Sequence, residues 1–310
     1  MKKIFYGIAI TTMLLFLLLY PVNALTASRA GLSLWFHTLV PTLLPFMILS
    51  NFLIQADLMK SVIALLAPPL YRLLRLSPAG SYALIIGFFC GYPMGAKVLC
   101  DLRNTNQISH LEADYLLSFC NNISPSFIIT FLVTEQLKKP ALLVPTLSIL
   151  YGAPLIWGLL QNAGYRKKQR QLPAIRKPSV GSNVKTRLSF TLIDRCIMEG
   201  VFTIVKLGGY LMLFAIISGI LQMFPIPWLP VKALLTAMIE ITNGIPAITA
   251  AFSFPLAYLL LILLCSFGGF SAIAQTDSVI KSAHLSLRKY VRSKIIISII
   301  AAILAICFLV

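Results

Sequence analysis

Charge is scarce in this chain, and negative charge most of all. Asp and Glu together number 9 in 310 residues, and all charged residues make up 11%, against roughly 25% in a soluble domain. That excludes an ordinary soluble enzyme and a solvated disordered tail. Six cysteines (Cys90, Cys100, Cys120, Cys196, Cys265 and Cys307) lie in or beside apolar stretches, and no CxxC pair occurs. A secreted disulfide scaffold is excluded, and a redox or metal centre has no ligand pattern behind it. Three histidines, His37, His110 and His284, stand far apart. There is no HExxH, GxSxG or Walker loop, so an enzyme is not expected, nor a resident cofactor or metal.

What is present is apolar. Hydrophobic residues reach 58%, and Lys plus Arg number 26, for a net charge of +17. The cations sit between apolar runs, so they report membrane topology rather than a nucleic-acid partner. The chain reads as an all-α, polytopic membrane protein in contact with lipid.

Four regions follow from the hydropathy. Residues 1–30 hold Lys2, Lys3 and an apolar run, which reads as a signal peptide or a signal-anchor helix. Residues 31–161 form a first repeat. Leu32–Ile54 is long enough to span about 30 Å of hydrocarbon. Asp57–Leu76 carries prolines and cations and suits an interfacial helix. Ala79–Cys90 is too short to cross alone and runs into Gly91-Tyr92-Pro93-Met94-Gly95, the tip of a re-entrant hairpin. A spanning helix over 111–134 is broken at Asn121-Asn122, and Ala141–Leu160 is a plain span. Residues 162–199 are a basic linker. Residues 200–310 form the second repeat, with a span over Val201–Phe224, a hairpin tip at 242–246, a broken helix over 254–280 and a final span.

The halves share three landmarks in the same order: a span ending near Gln55 or Gln222, a Gly-x-Pro tip, and a Ser-Phe pair followed by a break. Three crossings between the repeats would make the second inverted relative to the first. With the N-terminus inside, twenty cations, Lys281–Lys294 among them, fall inside and four outside. That split obeys the positive-inside rule.

Helix breaks at membrane depth leave unpaired N–H and C=O groups. The candidate substrate residues therefore cluster at the breaks. At the first tip they are Gly91, Tyr92, Pro93, Met94, Gly95 and Lys97. At the first broken helix they are Asn121, Asn122 and Ser124. The second tip offers Thr242, Asn243 and Gly244, and the second broken helix Ser266, Gly268, Gly269, Ser271 and Gln275. Lys97 either neutralises an anionic solute or snorkels to the interface beside Asp101. Glu240 either binds a proton or coupling cation or pairs with Lys206 or Lys232. Na+ or H+ coupling and a homo-oligomeric assembly are both compatible with this reading.

Three strings resemble a known family. They are Gly91-Tyr92-Pro93-Met94-Gly95-Ala96-Lys97, Ser118-Phe119-Cys120-Asn121-Asn122 with Ser124-Pro125, and Ser266-Phe267-Gly268-Gly269-Phe270-Ser271 with Ala274-Gln275. As an ordered set they resemble the nucleoside-recognition (Gate) domain membrane proteins, and within them the sporulation integral membrane protein YlbJ group. The resemblance covers roughly residues 31–290. It implies a concentrative nucleoside transporter-like fold with an elevator mechanism, and a role in sporulation at the bacterial inner or forespore membrane. It also implies movement of dipicolinic acid. The first tip lacks the Gln-Thr-Glu set with which the nucleoside transporters read their substrate, and a lysine follows it instead. The expectation is a secondary transporter of a small organic anion. The alternatives are a non-transporting assembly or signalling partner in sporulation, and a nucleoside transporter.

Overall fold

The computed structural model describes residues 2–55, 68–171, 190–224 and 228–310. Among them every regular element is helical. Among the described residues four helices are long and apolar enough to cross a membrane, or up to six if each of two sharply bent pairs is one span. Many large apolar side chains stay exposed, such as Leu18, Val144, Phe190 and Phe202. That is the surface of a protein whose outer solvent is lipid.

The N-terminal helix α1 (Lys2–Leu19) meets α2 (Pro21–Leu34) at a bend of 111°. Phe16 of α1 is buried with Ala24 and Ile216. A π-helical turn, Trp35–Leu39, joins α2 directly to α3 (Val40–Gln55). The predicted boundary at residue 30 therefore falls inside a continuous helical run, and Leu32–Ile54 is the later part of that run. Most of the expected interfacial segment, residues 57–67, lies outside the described residues. Its end forms α4 (Pro68–Leu74), which bends 94° into α5 (Pro78–Cys90).

The first hairpin turns where the sequence indicates. Helix α5 packs against α6 (Met94–Asn104) across a tip at Gly91-Tyr92-Pro93. Two glycines let the arms close. A Cβ at Gly95 would stand 2.9 Å from the Gly87 Cα and 3.1 Å from the Cys120 carbonyl oxygen. Helix α7 (His110–Leu117) begins at Ser109, whose hydroxyl accepts from the Glu112 N–H. It ends in non-helical backbone over 118–124 and resumes as a π-helical segment, Phe127–Leu137.

Helix α8 (Leu143–Gln171) runs ten residues past the start expected for the linker. Packing explains this. Tyr165 is buried and stacks on Tyr115 with ring centroids 4.3 Å apart, and Asn162 donates to the Leu73 carbonyl. The rest of the basic linker, residues 172–189, lies outside the described residues. Helix α9 (Phe190–Met223) then begins ten residues before the predicted repeat boundary at 200.

The second hairpin pairs α10 (Leu229–Ile239) with α11 (Ile241–Ala251), and here the predicted tip is displaced. Residues 242–246 lie inside α11; the turn is the single extended residue Glu240. Gly244 serves close approach rather than turning, because a Cβ there would overlap the Cα and Cβ of Ala237. Helix α12 (Leu256–Phe267) breaks at Gly268 and Gly269, with φ of 90° and 74°. These left-handed values are readily adopted by glycine alone. Helices α13 (Gly269–Ile280) and α14 (Leu287–Leu309) complete the chain.

Candidate functional site

Both hairpin tips and both helix breaks meet at one chamber. Gly91 and Tyr92 come from the first tip, and Ser124 from the first break. Glu240 and Thr242 come from the second tip, and Gly268, Ser271 and Gln275 from the second break. Leu39 and Leu43, with Leu207 and Leu211 of α9, close the apolar side. The chamber holds about 70 Å³, room for a few waters but not for an organic solute.

The contacts around it are tight. A Cβ at Gly91 would stand 2.9 Å from the Ser124 nitrogen, so the first tip seats directly on the first break. A Cβ at Gly268 would stand 2.8 Å from the Tyr92 hydroxyl, so the ring of the first tip reaches the second break. Gln275 donates to the Ser271 hydroxyl at 3.2 Å, while its carbonyl oxygen is buried with no hydrogen-bond partner.

Glu240 lines the chamber and also caps a helix. Its carboxylate accepts from the Thr242 N–H at 3.1 Å, the Asn243 N–H at 2.8 Å and the Thr242 hydroxyl. It caps α11 and occupies the donors that a helix N-terminus would otherwise offer to an anion. Neither lysine considered for it forms an ion pair with it among the described residues. Lys232 donates instead to the Gln222 carbonyl at 2.7 Å.

A second, larger cavity of about 260 Å³ lies between α6, α9 and α13. Pro93 and Lys97 line it from the first hairpin, and Lys206 and Tyr210 from α9. Gln275 and Leu207 line both cavities. Lys97 thus faces the larger space and not the chamber between the tips.

The asparagine pair lines neither cavity. The Asn121 amide donates to the Thr276 hydroxyl at 3.0 Å and the Tyr290 hydroxyl at 3.2 Å, and accepts from the Ala96 N–H at 3.4 Å. Asn122 donates to the Phe119 carbonyl at 2.7 Å and accepts from Lys294 at 3.1 Å. Two adjacent amides do need several partners, and the protein supplies five. Met94, Gly95, Asn243, Gly244, Ser266 and Gly269 also lie off both linings.

Sequence reasoning missed Lys294 by placing it with the inside cations. It is 1% exposed, donates to the Asn121 carbonyl at 3.2 Å and to Asn122, and lies 4.9 Å from the centre of the Tyr92 ring. A signal was available. Lys294 follows Tyr290 by four residues and precedes Ile297, Ala301 and Ala305 by three, seven and eleven. That spacing sets one helical stripe, and all five residues are buried.

The chain is similar to the sporulation integral membrane protein YlbJ of Bacillus subtilis (strain 168). The two are 27% identical over 314 aligned positions, which cover 92% of this chain and 77% of that protein. No protein-family model matches the chain, and no solved structure matches it. The similarity and the apolar helices together support a multi-pass membrane protein related to YlbJ.

Proposed function

We propose that this protein is a secondary transporter of a small organic anion of the dipicolinate kind, acting in sporulation. One observation carries the reading. Two hairpin tips and two interrupted helices, drawn from opposite halves of the chain, converge on a single chamber. Broken helices meeting at membrane depth are costly in lipid unless they line a site, and such convergence is how inverted-repeat transporters build one.

The repeat order supports the same reading. Helix α3, hairpin α5–α6, broken helix α7, and span α8 are answered by α9, hairpin α10–α11, broken helix α12–α13, and span α14. We read these as two inverted repeats, residues 31–161 and 200–310, with the N-terminus inside and the basic linker facing the cytoplasm. The hairpins and broken helices would travel as an elevator past α3 and α9. Lysines and no carboxylate on the larger cavity favour an anion over a nucleoside.

The test is uptake into liposomes reconstituted with the purified protein. Labelled dipicolinate should accumulate and nucleosides should not. Thermal stabilisation gives a second readout, since a ligand at a hundred times its Kd adds about 2.7 kcal/mol to the folded state. Nucleoside uptake alone would retain the fold and overturn the substrate class. Uptake of neither would favour an assembly or signalling partner.

A further inference from the structure

We propose that the larger cavity is an anion vestibule, in which Lys97 and Lys206 together hold a small organic dianion before it passes Gln275 into the chamber between the tips. The proposal rests on the transporter reading and deepens it.

Position is the first argument. Lys206 stands seven residues beyond Glu199, or about 10 Å along the helix at the usual rise. No charged residue follows it in α9 up to Met223. A lone lysine at such depth is retained for a function. Among the described residues no carboxylate lies within ion-pair distance of it. Lys97 comes from a different element, the first turn of α6, and lines the same cavity. The nearby acids lie outside the lining: Asp101, one turn along α6, attracts Lys97 from its own helix, and Glu199 pairs with Arg195 at 3.3 Å. Two cations from different helices, on a lining that holds no acid among the described residues, fit two carboxylates on one rigid solute better than a single charge.

Size is the second argument. The inner chamber of about 70 Å³ admits no organic solute as it stands, whereas the outer cavity of about 260 Å³ does. That is just below the ~300 Å³ at which small-molecule pockets begin, so the occupant is compact.

Gln275 supplies the third argument, because it borders both spaces and its carbonyl oxygen is buried without a partner. The Ser271 hydroxyl that it contacts can accept or donate. The amide can therefore turn its NH2 group toward an arriving carboxylate and keep its bond to Ser271.

Equilibrium binding to the full chain in nanodiscs tests this, with dipicolinate as the dianion and benzoate as the monoanion. Lys206→Gln and Lys97→Gln should each weaken dipicolinate by about tenfold or more, and benzoate by less. The preference for the dianion should therefore collapse. Lys206→Arg should retain it, and thermal unfolding of each variant checks that the fold is intact. Wild-type dipicolinate affinity and preference in Lys206→Gln would overturn the vestibule while leaving the transporter reading in place, provided the wild type still takes up dipicolinate. No dipicolinate binding or uptake by the wild type would overturn both.

Discussion

Replacing Gly244 by alanine separates two explanations of that residue. If Gly244 turned the chain at a hairpin tip, alanine would disturb a loop. The structure places it inside α11, where α11 crosses α10. The added methyl would overlap the Ala237 Cα and Cβ. The Ala237 nitrogen, at 2.7 Å, would lie 0.7 Å inside the 3.4 Å edge of ordinary contact. Two of these three are backbone atoms and the third is fixed to them, so the two arms must part. Overpacking of this kind costs about 1–3 kcal/mol, partly offset by the ~1 kcal/mol by which alanine favours a helix over glycine. Gly209 supplies the control. It also lies within a helix, α9, but a Cβ there meets nothing within 4 Å. Gly209→Ala should be neutral or slightly stabilising, and Gly244→Ala should unfold roughly 2–10 °C below it, at about 2–4 °C per kcal/mol. Thermal unfolding of the purified protein in detergent, followed by tryptophan fluorescence, reads the difference. Equal midpoints for the two variants would refute the crossing and the displaced tip together.

Gly268→Ala should be destabilised by about 1–3 kcal/mol, since it places a side chain at positive φ and against the Tyr92 hydroxyl; uptake should fall with it, and unchanged uptake would argue against a fixed second break. Lys294→Met removes the donor to the Asn122 side chain and the Asn121 carbonyl. Each orphaned acceptor costs about 1–3 kcal/mol, so a lowered unfolding midpoint is expected, and wild-type stability would contradict the assigned bonds. Exchanging residues 172–189 for a different basic sequence should leave uptake intact. Loss of function with a folded protein would instead mark that segment as a docking element.

Much of the fold was legible because membrane helices declare themselves by length, and because glycine and proline punctuate them. The Gly91-Tyr92-Pro93 tip and the breaks at Asn121-Asn122 and Gly268-Gly269 stand where the sequence indicates. The second tip was misplaced for a physical reason. Thr-Asn-Gly-Ile-Pro has the composition of a turn, yet Glu240 caps the helix ahead of it. Pro246 then forfeits one helical bond within α11, and Gly244 is used for packing. The site was legible in part. Residue type identified the groups that gather at the breaks, but not which way they face. Asn121 and Asn122 turn into protein, Lys97 turns to the outer cavity, and Lys294 was hidden in a run of cations that linear counting assigns to the interface. Orientation depends on contacts between residues more than 150 positions apart, such as Asn121 with Thr276, and no local pattern encodes those.

The bonds around Lys294 also bear on how the protein can be assembled. Asn121 and Asn122 come from the chain before the basic linker, and Thr276, Tyr290 and Lys294 from the chain after it. Divided at residues 172–189, each fragment would carry polar groups at membrane depth whose partners belong to the other. The first would lose the partners of the Asn121 NH2 group and of the Asn122 side-chain oxygen, and the second the Asn121 and Asn122 acceptors of its ammonium. Neither fragment can satisfy these groups from lipid. The expectation is that the first half becomes fully satisfied only once α13 and α14 are in place. Two separately expressed halves should each be cleared as misassembled when alone, and persist only when made together.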